Sequence, residues 1–291
     1  MAGGGQGSTG RGGGFIGVGS RPVPTTTLVS WNLKGSAGPD LAAIAEHLRA
    51  EGADVVALQE VQRHQARSLA RALNARSWGW GFKHWPVRTW PEGMAVIGVT
   101  RPVEVRTLAL SQRWRPWSWR RRIVQVAAVD DPADCPVGAS EAADPDSGAL
   151  TVINIHLTPQ GETGLRTIET ATVLALVAER AGPVVVCGDL NERPDGPLHR
   201  QMAAAGLRDG WPERPPENAT DPSRTGDPWP TNWRGWRPGT TKLPSQQLDY
   251  CYASAALPSL TVRMPAPDHA EFARFAALSD HLPITAEFDL P

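Results

Sequence analysis

The chain has 291 residues, 41% of them hydrophobic and 20% charged, with a formal net charge of -1. That length suits one large domain or two small ones with a sizeable core, and the near-neutral balance excludes global attraction to a polyanion, so any such affinity must come from a local patch. Three cysteines without C-x-x-C spacing, Cys135, Cys187 and Cys251, point to neither a disulfide framework nor a zinc site. No apolar run approaches the roughly 18 residues of a membrane helix, and the N-terminus lacks a basic stretch followed by an apolar core, so a cytoplasmic protein is expected.

Residues 1–24 are rich in Gly with Ser, Thr and Gln, too poor in apolar surface to offset the entropy of ordering, and are expected to be a disordered tail ahead of one domain over 25–291. From Thr26 the pattern runs strand (28–33), helix (40–50, with Leu41, Ile44, Ala45 and Leu48 on one face), strand (54–58) and helix (63–73). Strands follow over 94–100, 103–110, 123–129 and 150–155, the last two separated by an acidic Ala/Pro/Gly-rich surface loop from Asp130 to Ser147. Helical spacing returns over 163–180, feeding the strand before Gly188, and again over 197–205. Residues 212–245, crowded with Pro, Trp, Arg and Gly, read as a functional rim loop because strand material resumes directly after them at 248–253, 260–264 and 284–288. Strands outnumber helices and the connections vary in length. An α/β sandwich of two mixed, mostly antiparallel sheets flanked by helices is favoured over a repeating βαβ barrel, although periodicity alone leaves both open.

Six polar clusters sit at the ends of the apolar runs: Ser30-Trp31-Asn32, Gln59-Glu60, Asn154-Ile155-His156, Gly188-Asp189-Leu190-Asn191, Leu248-Asp249-Tyr250 and Ser279-Asp280-His281. Their acids and amides are hard oxygen donors, suited to Mg²⁺ or Mn²⁺ rather than zinc. Asp189 and Asn191, two apart, are expected to face one pocket by strand alternation; the bland reading is that both cap the turn before Pro194. Glu60 leaves a buried strand where an α/β protein often places a cation ligand, and Asn32 taken singly reads as a turn residue. His64, His84 and His199 read as surface or loop residues. If Asp249 accepts a hydrogen bond from His281, that imidazole is oriented for proton transfer or for holding phosphate.

In this order the clusters resemble the endonuclease/exonuclease/phosphatase superfamily over about Thr26 to Asp289, and Gly93-Met94-Ala95-Val96 with Thr100-Arg101 resembles a structural strand of that family. The resemblance implies a four-layered α/β sandwich and Mg²⁺-dependent (or Mn²⁺-dependent) hydrolysis of a phosphate ester without a covalent intermediate. It implies Glu60 as principal metal ligand with Asn32 and Asp280 beside it, and Asp189 positioning or deprotonating the attacking water. Asn191 would bind the scissile phosphate, His281 paired with Asp249 would contact phosphate and assist proton transfer, and His156 would be a further phosphate-binding or acid residue. Positioning and charge neutralisation are what such a reaction needs.

Substrate choice is carried by loops. Residues 113–122 hold five arginines and three tryptophans, including Arg122, suiting nucleic acid or a membrane interface, with a strand edge as the bland reading. A second cluster offers Trp233, Arg234, Trp236 and Arg237 as substrate contacts, and Arg101 is a further candidate. A nuclease leads over a phosphatase or a phospholipid or inositol-phosphate diesterase because neither a lipid anchor nor a hydrophobic helix is evident. An inactive binding module is disfavoured by the complete set of acids, amides and histidines, and no obligate protein partner is evident.

Overall fold

Alternation along β1 (Thr25–Asn32) sends Leu28 into one apolar layer and Val29 and Trp31 into another, as a strand covered on both faces requires. A computed structural model describes Met1 and residues 25–84, 91–115, 118–130, 149–212, 227–233, 235–237, 240, 244–265 and 269–291. The expected tail, nearly all of the 130–147 connection and part of the 212–245 stretch, with Arg234, lie outside these residues.

The first sheet runs β11 (Thr261–Arg263), β12 (Ile284–Asp289), β1, β2 (Val55–Gln62), β4 (Glu92–Gly98), β3 (Ser77–His84). The second holds β5 (Val103–Arg115), β6 (Ser118–Val129), β7 (Leu150–His156), β8 (Val184–Asp189), β10 (Asp249–Ala253) and the two-residue β9 (Arg208–Asp209). Only β1–β2 and β7–β8 pair in parallel; the other pairs are antiparallel. Among the described residues a single backbone pair, His84 with Arg120, joins the sheets. Helices α1 (Leu41–Ala50), α2 (Arg63–Ala72) and α5 (His269–Ala276) bury Ile44, Leu48, Leu69, Phe272 and Phe275 against Val29, Trp31, Val56 and Ile97. Helices α3 (Thr163–Ala178) and α4 (Pro197–Ala204) give Val173, Leu198 and Met202 to the layer of the second sheet. The result is the four-layered α/β sandwich. Asp40 caps α1 by accepting from the N–H groups of Ala42 and Ala43, a device worth about 1 kcal/mol. No helix of the described residues is long and apolar enough to cross a membrane.

Three elements go beyond the sequence reading. Strand β3 has glycine at alternate positions, Gly79 and Gly81, where a Cβ would lie 2.5 Å from Val105 and Thr107, so the close crossing over β5 excludes the side chains that mark a strand. Helix α5 also lies outside the sequence reading, and β9 escapes for want of length, with only 2 residues. His84 belongs to β3, and His199 is half-buried on α4, its ring against Tyr250 and its Nδ1 2.5 Å from the Tyr252 hydroxyl; neither is a loop residue.

Candidate active site

Register explains why the six clusters meet. Parallel β1–β2 and β7–β8 bring Asn32, Glu60, His156 and Asp189 to the same ends of their strands. Antiparallel β10 sets Asp249 opposite Asp189, and antiparallel β12, starting at Ile284 opposite Ser30, brings in His281 just before it. Gly188 allows the close approach below: its φ is +134°, and a Cβ there would lie 2.0 Å from the Ile155 carbonyl oxygen. Beneath the site the Gln59 amide donates to Asn154 Oδ1 (2.8 Å) and the Asn154 amide donates to Gln125 Oε1 (3.1 Å), a buried link between the sheets. Asn154 is thus scaffold below the reacting groups.

These ends open into a cleft of about 400 Å³ lined by Asn32, Lys34, Glu60, Arg122, His156, Asp189, Asn191, Asn232, Trp233, Trp236, Asp280 and His281, among others. Asp189 is its centre. Its Oδ2 accepts from the Asn32 amide at 3.1 Å and lies 3.6 Å from His156 Nε2 and 3.7 Å from His281 Nε2. Burial above all pushes the Asp189 carboxyl up, to about 6, against the opposing pull of His281.

Asn191 sits just past the end of β8 in the left-handed region (φ +51°), and its N–H donates to Asp189 Oδ1 at 2.8 Å. Strand alternation therefore does not orient it, because the strand has ended; an Asx-type turn does, and that turn still leaves Asn191 lining the cleft. The capping reading and the pocket reading of this pair hold together.

Glu60 sits at a β-bulge between Gln59 and Val61 with φ +50°. A non-glycine residue held there costs on the order of 1–3 kcal/mol, and such strain concentrates at functional sites. The bulge breaks the alternation of a buried strand and places the carboxylate in the cleft.

His281 Nδ1 lies 2.8 Å from Asp249 Oδ2, which also accepts from the Thr231 hydroxyl at 2.6 Å. Burial pulls the imidazole pKa down, but Asp249 and Asp189 together outweigh it and hold it up at about 10. The Asn232 carboxamide faces Nε2 at 2.8 Å; its nitrogen donates to a neutral ring, and after a flip its oxygen accepts from a charged one. The Trp31 indole N–H, donating to the His281 carbonyl at 2.9 Å, ties this segment to β1.

Lys83, 1% exposed, was not anticipated. Its Nζ lies 2.8 Å from His156 Nδ1, 3.4 Å from His156 Nε2 and 3.5 Å from Glu60 Oε1, and burial, chiefly, drives its pKa down to about 7. Lys34, Thr231 and Asn232 were missed as well. One signal was legible: only three of the 29 basic residues are lysine, and two of them, Lys34 and Lys83, are here. A compact ammonium fits and discharges where a guanidinium does neither.

Of the expected substrate contacts, Arg122, Trp233 and Trp236 line the cleft, although Trp233 is 3% exposed and packs edge-on against Phe272. Arg237 is exposed and is not among the lining residues. Arg101 is a correction: it follows Gly98, at the end of β4 remote from Glu92, and is 5% exposed, because the strand that carries Gly93 to Gly98 runs away from the site.

Among the described residues no three His, Cys, Asp or Glu groups form a ready metal cluster. The donors present, the Glu60 carboxylate and the Asn32 carboxamide in one wall of the cleft, fit a cation that takes one or two protein oxygens and completes its shell with water and phosphate, as Mg²⁺ does.

A four-layered α/β sandwich with an acid, amide and histidine cleft at its strand ends is the class these features define. The profile of the Endonuclease/Exonuclease/phosphatase family matches residues 29–281, and the chain belongs to that family, whose members are generally hydrolytic phosphoesterases that typically use divalent metals. Similar solved structures include an endonuclease/exonuclease/phosphatase from Beutenbergia cavernae DSM 12333 (23% identity, 91% of this chain and 72% of that one, TM-score 0.64). Another is from Bacteroides vulgatus (16%, 92% and 100%, TM-score 0.66), and a third is the human Nocturnin catalytic domain with bound sulfate anion (18%, 92% and 96%, TM-score 0.62). No curated protein matches the chain.

Proposed function

We propose that the chain is a divalent-metal-dependent phosphodiesterase that hydrolyses nucleic acid by direct attack of water. The observation that carries this reading is the convergence on Asp189 Oδ2 of Asn32, His156 and His281 in a cleft that also bears Glu60. Glu60 and Asn32 would hold the cation, and Asp280 lines the same cleft. A bound Mg²⁺ or Mn²⁺ would neutralise charge on the phosphoryl and leaving oxygens. Asp189, ionised, orients a water and takes its proton as the oxygen attacks phosphorus. His281, kept charged by Asp249, and the Asn191 carboxamide hold phosphoryl oxygens, and His156 adds a ring N–H or supplies a proton to the leaving oxygen.

Support for nucleic acid over a small ester comes from the β5–β6 ribbon. Arg122, carried on that ribbon, lines the cleft, where its guanidinium can hold a backbone phosphate next to the scissile one. The test is hydrolysis of plasmid, single-stranded DNA and RNA beside phospholipid and inositol-phosphate panels. Cleavage of a polynucleotide, weakening steeply with salt, is expected; release of phosphate or headgroup from small esters alone would replace the nuclease reading with the phosphatase one.

A pH profile tests the proton assignments. Asp189 acts ionised, so kcat/KM should rise as pH passes about 6, and His281 acts charged, so it should fall as pH passes about 10. A profile that is flat across the acid limb contradicts Asp189 as base.

A further inference from the structure

Asp280 is already neutralised by a side chain of this protein. Lys34 follows the first strand in the left-handed region (φ 45°), and its Nζ makes an ion pair with Asp280 Oδ2. The ammonium also stands over the Trp236 ring, 4.8 Å from the centroid. That ring is itself fixed, since its indole N–H donates to the Ala276 carbonyl at the end of α5 at 2.8 Å. The Lys34 backbone N–H donates to Asn32 Oδ1 at 3.3 Å, so its main chain abuts the amide beside the cation site. Lys34 and Asp280 line the same cleft as Glu60 and Asp189.

Charge bookkeeping decides what this does. The acids lining the cleft are Glu60, Asp189 and Asp280. Two divalent ions set about 3.5–4 Å apart need carboxylates on both sides to hold them. Here the Asp280 side already holds the Lys34 ammonium, clamped between a carboxylate and an aromatic face. A second divalent ion at Asp280 would have to displace that ammonium and then sit near it, and the other acids lining the cleft, Glu60 and Asp189, are those that the first ion and the attacking water use.

We propose that Lys34 is a built-in cation that occupies the place of a second metal ion, so that the chain works with one divalent ion at Glu60 and Asn32, and that the Lys34 ammonium meets the substrate's phosphoryl oxygen beside it. This rests on the metal-dependent reading above.

Direct Mn²⁺ binding tests this without turnover. Isothermal titration and Mn²⁺ electron paramagnetic resonance should give one ion per wild-type chain, with no spin coupling between ions. Lys34→Met keeps the aliphatic stem against Trp236 and removes the charge; it should bind two ions, the second at least tenfold weaker, with Mn–Mn coupling in the spectrum. Lys34→Arg should return to one, and Lys34→Met with Asp280→Asn should also return to one, which a merely structural role for Lys34 would not produce. Two ions on the wild type, or one ion on a folded Lys34→Met chain, overturns the inference while leaving metal dependence in place. No ion on any variant overturns the metal-dependent reading and this inference with it.

Discussion

Asp189→Asn is expected to lower kcat by about 10³-fold, within the range spanned by loss of a positioned general base, while the melting temperature holds or rises. The two halves come from one fact. Asp189 is buried among carboxylates and its pKa in the fold is about 6, above the 3.8 of an unperturbed Asp. A raised carboxyl pKa means that the folded state holds the proton more tightly than the unfolded state, so stability falls as pH rises from about 4 to 6 and the ionised form is carried at a cost thereafter. At about 1.4 kcal/mol per pKa unit the penalty relieved by a neutral amide is up to about 3 kcal/mol, the attraction to His281 being already included in that shift. Activity retained, or activity and melting temperature lost together, would remove Asp189 from the role of base. Thermal melting beside single-turnover kinetics reads both.

Arg166→Met should give the largest loss of stability, about 3–5 kcal/mol, which for a chain of this size is a fall on the order of 10 °C. The guanidinium is buried on α3 and donates to Glu192 Oε2 at 3.0 Å and to the carbonyls of Thr158 and Pro159 at 3.3 and 2.7 Å. Removing it strands a buried carboxylate and two carbonyls. The same bonds pin two of the loops that reach the cleft, since Glu192 is next to Asn191 and the Asn191 amide donates to the Leu157 carbonyl at 3.0 Å. A shift of about 1 Å there is enough for a 10- to 100-fold loss in kcat. Arg166→Met with Glu192→Met should recover much of the stability, because no unpaired charge is left, but not the activity. A double variant as unstable as the single one contradicts this account.

The strand ends were legible because chemistry and periodicity coincide there: Val184–Asp189 and Leu150–His156 are apolar runs that terminate on their polar groups, and register then forces them together. Three parts were not legible, each for a physical reason. Glu60 and Asn191 were read as site residues, but not the left-handed backbone at a bulge and a turn that carries them into the cleft, which a period of two cannot describe. Lys83 lies on a strand whose alternate glycines answer to a tight crossing rather than to burial, so its neighbours Gly79 and Gly81 hid it. Thr231 and Asn232 come from the Trp-rich rim stretch, where no pattern marks which polar residue turns inward to hold Asp249 and His281. Arg101 shows the opposite failure, a basic residue beside a family-like strand but at its wrong end.

The central claim is that this cleft hydrolyses phosphodiesters with a divalent ion held by Glu60. The most direct measurement is turnover of bis-p-nitrophenyl phosphate by chelator-stripped protein titrated with Mg²⁺ or Mn²⁺, for the wild type and for Glu60→Gln. The account predicts no turnover in the stripped protein, saturable recovery in the wild type, and recovery in Glu60→Gln only at metal concentrations at least tenfold higher with kcat reduced. Turnover indifferent to the chelator, or a Glu60→Gln curve that overlays the wild type, would contradict it.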